Sequence, residues 1–484
     1  LSAEVGIKMK TNHPLLALIA SALFFGACSS DDSGAASDEY EGDDPGECSD
    51  DLDNDGNGLY DCDDPGCAGS DVCIGADAGS DADAGADTDS DTDSDTDSDS
   101  DSDSDTDTDS DGDCPAAKVG EKLGRDHLML GGTMAAGSLT QAPFDLRYQY
   151  LVGGAPESGE CESCDQNCPL SGTWWGCWQS FSVPPGQFVR DYIEATDDNG
   201  TVPMFTYYNW YTVSGYIEGQ EEVNRLNNGA LLAPYLEDFR FMLEVIAQFP
   251  DIQTIVHVEP DLWGYVNQVD SDPARVPVAL GDAAVPECAG MENNAAGLVG
   301  CMLAMARSVA PNVLVGFHVS DWGSGIDVSM NSDTGFDVSG YAEESAAFMI
   351  ALGAADADLL VVEMSDRDAA YNDSWWDTTN QTLPNFHQMF EWVQVVGEEM
   401  DLATLWWQVP YGNMSLNDVS GRYRDVRVDY FFDHPEEFAD IGSLGIVFGA
   451  GMSGMTTAET DGGNFFSRSA DYYAGDRPLL CGSR

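Results

Sequence analysis

Thr254-Ile255-Val256-His257-Val258-Glu259-Pro260-Asp261-Leu262-Trp263 is the stretch that decides the fold. Residues that favour a pleated, buried surface lead into a carboxylate, a proline that cannot extend a ladder, and a second carboxylate. This is a buried strand that finishes in polar residues. Seven further runs repeat it: His127–Gly131, Leu146–Val152, Val202–Tyr208, Val313–Val319, Asp358–Glu363, Thr404–Gln408 and Gly445–Gly449. Helical spacing fills most of the intervals, at Gln187–Thr196, Pro234–Gln248, Ala295–Val309, Tyr341–Leu352, Asn385–Met400 and Arg424–Ala439, with Phe465–Tyr473 at the end. In the second of these, Tyr235, Leu236, Phe239, Met242, Leu243 and Ile246 recur as one apolar helix face. Strands alternating with helices predict an α/β fold with parallel strands, here a TIM-type (β/α)8 barrel. Gly132 to Pro143 is too rich in Gly and Ala to predict a helix, so an irregular first crossover is expected, with an open sheet as the alternative.

A barrel places its site at the C-terminal ends of its strands. Period-two alternation puts His257 and Glu259 on one face, with Asp261 continuing that parity if the strand persists past Pro260. The fifth strand ends in His318, Ser320, Asp321 and Trp322, the sixth in Glu363 and Asp366, and the seventh in Trp406, Trp407, Gln408 and Tyr411. Two carboxyl groups facing each other across a cleft suit glycosidic hydrolysis, in which one protonates the leaving oxygen and the other attacks or activates water. The expected pairing is Glu259 or Asp261 against Glu363 or Asp366, with Asp321 as a third member. Pyranose faces stack on aromatic rings. Tyr207, Tyr208, Trp210, Trp263, Trp322, Trp406, Trp407 and Tyr411 therefore join His257, His318 and Gln408 as expected substrate contacts, on the premise that a core prefers Leu and Val. Trp174, Trp175, Trp178, Tyr211, Trp375 and Trp376 extend the aromatic set.

Glu259-Pro260-Asp261-Leu262 resembles the Glu-Pro-Asp segment of family 6 cellulases, which implies that Asp261 is the general acid. It also resembles the fourth-strand Glu-Pro ending of the large retaining clan of barrel glycosidases, which implies Glu259 instead. That clan's seventh-strand nucleophile is missing, since Gln408 stands there. Both resemblances imply a secreted barrel glycoside hydrolase, endo-acting on cellulose or a related β-glucan, without assigning a family. Two other readings stand beside it. One is a surface carbohydrate-binding protein without catalysis. The other is a metal-dependent barrel hydrolase that uses His257, His318 and carboxylates as ligands, although the first strand offers only His127 where such enzymes carry a paired His-x-His. No Gly-x-Ser-x-Gly elbow occurs, and Gly445 to Gly454 lacks the Lys-Ser/Thr of a phosphate loop, so it is expected to let backbone approach a ligand.

The rest of the chain is organised for export. Met9-Lys10 precedes an apolar run, Leu15 to Phe25, that is too short to span a bilayer. Phe25-Gly26-Ala27-Cys28 resembles a bacterial lipobox, which implies lipidation at Cys28 after a signal peptide of residues 1–28. Ser29-Ser30 resembles lipoproteins sent to an outer membrane, so a cell-surface or extracellular location is expected, with a membrane contact through the lipid alone. Of the net charge of −69, about 33 acidic residues fall between Asp31 and Asp113, where no Lys or Arg occurs. Residues 29–47 read as an acidic tether and 74–113 as a disordered Asp/Ser/Thr linker with too little apolar surface to fold.

Between them, residues 48–73 form a Cys- and Asp-rich module. Asp53, Asp55, Asn57, Asp61 and Asp64 have the spacing of a calcium loop with Gly58 at its turn, the alternative being a solvated acidic turn. The module resembles the Cys-rich Asp-Asn-Asp-Gly repeats near the N-termini of myxobacterial surface proteins. Calcium is the one ion expected, and catalysis is expected to need no cofactor. Residues 114–484 form the catalytic domain, expected to be monomeric, with a polysaccharide as partner. Its acidity argues against nucleic acid. Thirteen cysteines leave twelve after Cys28, which reads as disulfides, though Cys161, Cys164, Cys168 and Cys177 also suit zinc.

Overall fold

The computed structural model describes residues 114–153, 175–177, 184–283, 285–364, 369–372, 375–452 and 454–482. The lipobox with Cys28, the tether, the calcium loop of Asp53, Asp55, Asn57, Asp61 and Asp64, and the linker all lie outside the described residues. So do Asp366, Trp174, Trp178, Cys161, Cys164 and Cys168.

Eight strands close into a barrel in chain order: β1 (Met129–Gly132), β2 (Leu146–Leu151), β3 (Val202–Tyr207), β4 (Thr254–Val258), β5 (Val313–Val319), β6 (Leu359–Glu363), β7 (Thr404–Val409) and β8 (Ser443–Phe448). Each pairs in parallel with its neighbours, and β8 returns to β1 with Met129 opposite Gly445 and Gly132 opposite Phe448. The helices are α1 (Pro115–Leu123), α2 (Gln187–Asp197), α3 (Trp210–Val213), α4 (Gln220–Arg225), α5 (Gly229–Ile246), α6 (Leu262–Val269), α7 (Ala295–Val309), α8 (Val338–Leu352), α9 (Ala369–Asn372), α10 (Phe386–Met400), α11 (Val426–Asp433), α12 (Pro435–Asp440) and α13 (Asn464–Ala474). The TIM-type barrel expected from the strand pattern is present, and its first crossover holds only a 3₁₀ turn, Ala136–Thr140.

Local chemistry fixes the crossover helices. Asn228, Asn294, Asp337 and Asn385 each accept a backbone N–H of the first turn, at α5, α7, α8 and α10. The run expected as one helix from Arg424 to Ala439 splits instead, because Pro435 has no N–H to continue α11 and opens α12 as its first residue.

Two apolar layers follow from strand alternation. Met129, Met204, Ile255, Leu314, Leu359 and Leu405 fill the barrel, and a larger outer layer packs between strands and helices. Helix α1, which the sequence pattern did not predict, belongs to the inner layer through Ala116, Val119 and Leu123, so it seals the N-terminal end of the barrel. A disulfide from Cys114 to Cys481 ties it to the C-terminal segment, and Cys288 bridges Cys301 at α7. Cys177 is also disulfide-bonded, which removes it from any zinc site.

Gly445 in β8 and Gly449 just beyond it are required by packing inside the barrel. A Cβ on Gly445 would meet the Met129 carbonyl at 2.5 Å, and one on Gly449 would collide with the Tyr148 hydroxyl.

Candidate active site

The C-terminal mouth is built by β3 to β7 and the loops that leave them. At β4, His257 points inward, but Glu259 does not share its face. Glu259 has φ 46°, in the left-handed region, which turns its side chain out of the barrel toward α5. Its Oε1 accepts the backbone N–H groups of Asn209 (3.1 Å) and Trp210 (2.9 Å) and the Tyr235 hydroxyl (2.9 Å). The residue is wholly buried, and burial outweighs these three donors, pushing its carboxyl up to about 8. Asp261 lies beyond Pro260 at the head of α6, half-buried. Its charge bears on Tyr208 of the β3 end and on Tyr265 of α6.

The β3 end alternates in the same way. Tyr207 faces outward and donates to Asp238 Oδ2 at 2.7 Å, where Trp175 Nε1 and Asn209 Nδ2 also donate, each at 2.8 Å. Asp238 thus latches the β3 end to α5. Tyr208, one residue on, stacks on Tyr211 at 5.3 Å and donates to Glu218 at 3.2 Å. Trp210 is buried edge-on to Tyr235, and its indole N–H donates to the Glu222 carbonyl at 3.3 Å.

At the β5 end, Asp321 is buried and accepts the Ser329 N–H at 2.7 Å, bracing the loop that follows. Trp322 donates its indole N–H to Glu363 Oε1 at 2.9 Å across to β6, and its ring lies 4.8 Å from Tyr265. Glu363 closes β6, half-buried. The Tyr265–Trp322 pair thus joins the helix that Asp261 heads to the Glu363 end of β6.

On β7 the register steps from Trp406 opposite Ile446 to Val409 opposite Phe448, one extra residue, with Gln408 at φ 55°. That is a β-bulge. It brings both Trp407 and Gln408 inward. Trp407 packs edge-on against His257 and His318, and Gln408 Oε1 accepts the Tyr150 hydroxyl. Trp406 faces outward and donates to Ser443 Oγ at 2.8 Å.

The expected aromatic lining divides in two. Tyr208, Tyr211 and Trp322 stand at the mouth. Tyr207, Trp210, Trp263, Trp406 and Tyr411 are core residues, each with its polar tip satisfied: Trp263 donates to the Val258 carbonyl at 3.0 Å and Tyr411 to the Thr133 carbonyl. The premise that a core prefers Leu and Val fails because the wide shell between strands and helices accommodates rings. His257 and His318 are wholly buried below the mouth, with His257 Nε2 and His318 Nδ1 3.1 Å apart. A shared metal would have to break that bond.

Sequence reasoning missed Glu222, Glu218, Tyr150 and Tyr265. Glu222 is 1% exposed on α4, and its Oε2 has no hydrogen-bond partner among the described residues. Burial, then the charges of Glu259, Asp261 and Glu218, push it up to about 9. It belongs to an acidic run, Glu218 to Glu222, that reads as solvated surface. Tyr265 had a signal, since it follows Asp261 by one helical turn.

No protein-family model matches the chain, and no curated protein matches it. Matches among solved structures are distant. A cellobiohydrolase II from Humicola insolens is 15% identical, over 49% of this chain and 61% of that one, with a TM-score of 0.28. A modular endo-β-1,4-mannanase from Cellulomonas fimi is 10% identical over 77% and 79%, at 0.41. An endo-glycoceramidase II from Rhodococcus is 10% identical over 72% and 79%, at 0.38. The chain thus spans less than two thirds of the Humicola enzyme's length.

Proposed function

We propose that this chain is a glycoside hydrolase acting within a β-linked polysaccharide, with Asp261 as proton donor and Glu363 as the opposing carboxylate. The observation that carries the reading is the Trp322 indole, which donates to Glu363 at 2.9 Å and lies 4.8 Å from Tyr265, one helical turn after Asp261. Paired carboxyls beside aromatic faces are what glycosidic cleavage and pyranose stacking require. The Glu-Pro-Asp resemblance supports Asp261 over Glu259, and so does the position of Glu259, whose Oε1 is occupied by the β3 end and Tyr235. Tyr208 and Tyr211 offer a second stacking surface, and Gln408 with Tyr150 a polar floor.

In this mechanism Asp261 delivers its proton to the leaving oxygen, while Glu363 attacks the anomeric carbon or takes a proton from water. Asp261→Asn and Glu363→Gln are each expected to lower kcat on a β-glucan or β-mannan by roughly 10²–10⁴-fold while leaving glycan binding within reach of wild type. Reducing-end release and affinity electrophoresis measure the two quantities separately. Wild-type protein that binds glycan but releases no sugar would establish the carbohydrate-binding alternative instead.

A further inference from the structure

Directly beneath the mouth, the inside of the barrel carries a polar column where aliphatic side chains fill the layers below. Thr206 Oγ1 lies 3.2 Å from His257 Nδ1, and His257 Nε2 lies 3.1 Å from His318 Nδ1. The rings stack at 5.2 Å, and Trp407 meets them edge-on at 4.8 and 5.7 Å. Burial holds both histidines neutral, taking His318 down to about 3 and His257 well below its ordinary value. They cannot touch a substrate, so their use must be indirect.

A neutral imidazole has one N–H, which gives such a column a direction. With Thr206 donating to His257 Nδ1, His257 Nε2–H donates to His318 Nδ1, and the remaining proton stands on His318 Nε2. That nitrogen is buried without a hydrogen-bond partner among the described residues, as is Trp407 Nε1. Trp407 Nε1 can only donate. Buried polar groups are almost always satisfied, so two such groups on adjoining rings point to a guest that accepts from both.

The strand register shows where that guest leads. His318 pairs with Val361, and Glu363 stands two residues further along β6, paired with Trp407. Two residues of strand span roughly 7 Å, and two hydrogen bonds through one water cover on the order of 5.5–6 Å.

We propose that one ordered water sits between His318 and Glu363, accepting from the ring N–H groups of His318 and Trp407 and donating to the carboxylate, which makes His318 a positioning residue for Glu363. The proposal rests on the reading of Glu363 as a catalytic carboxylate. Its first test does not. In the full chain labelled with 15N-histidine, with His318 assigned by its loss in His318→Gln, the ring is expected to be neutral and protonated on Nε2 throughout pH 5 to 8. An Nδ1–H tautomer, or a charged ring in that range, overturns the column.

The kinetic test uses two variants. His318→Leu removes the donor and is expected to lower kcat about tenfold or more with KM within about twofold. His318→Gln, whose amide N–H reaches the place of Nε2, is expected to recover kcat to within about threefold of wild type. Wild-type kcat in the Leu variant, or a Gln variant no better than Leu, overturns the positioning role. Failure of the Glu363 reading shows up separately, as an unchanged rate in Glu363→Gln.

Discussion

Glu222 and Glu259 hold their protons at neutral pH, because each is buried in range of other carboxyl groups and neither faces a cation among the charges that act on it most strongly. A carboxyl raised in the folded protein has a definite linkage sign. The unfolded chain releases the Glu222 proton near 4.5 and the folded chain near 9. The folded state therefore binds more protons between those values, and stability falls as pH rises through the window. Glu222→Gln stays neutral and avoids that loss. The variant is expected to match wild type near pH 4 and to exceed it by about 1–3 kcal/mol at pH 8, measured by urea unfolding across pH. Parallel pH curves for the two proteins would show that Glu222 is ionised in the fold. None of this was legible in the sequence, where Glu218 to Glu222 is one more acidic run in an acidic chain. Burial follows from the seat of α4 against Trp210, and no local pattern encodes it.

At the scale of single elements, the strands were legible to within a residue or two, because each is a run of β-formers bounded by polar or small residues. The directions of their last side chains were not. Period-two alternation holds until a left-handed residue breaks it, which happens at Glu259 and Gln408, the two strand ends where candidate site residues stood. One is thereby removed from the mouth and the other turned into it. A different device stands at Gly449, which follows β8 and sits against the Tyr148 hydroxyl inside the barrel. Gly449→Ala is expected to destabilise by about 1–3 kcal/mol through overpacking. The loss should shrink markedly in a Tyr148→Phe background, which removes the atom in the way, so the two changes should couple in a double-mutant cycle of unfolding free energies. Additive effects would mean that the ring carbons of Tyr148, rather than its hydroxyl, require the glycine.

Considered whole, the molecule separates stability from chemistry along the barrel axis. The mouth holds carboxylates, rings and two strand ends with non-glycine residues at positive φ. The opposite end is closed by α1, whose Ala116, Val119 and Leu123 cap the inner apolar layer, and by the Cys114–Cys481 bridge across 367 residues of chain. A cross-link over so long a loop acts mainly on the unfolded ensemble, by restricting it. Replacing both cysteines by serine preserves an oxygen at position 114 to cap Ala117, the role that the Cys114 sulfur fills at 3.4 Å, and so removes the bridge with little else. The double variant is expected to lose about 2–5 kcal/mol in denaturant unfolding. Because the bridge lies at the end of the barrel away from Asp261 and Glu363, its kcat and KM at temperatures well below unfolding should remain those of wild type. A shift in KM would mean that α1 transmits order along the barrel to the mouth, through the same inner layer on which the buried histidines rest.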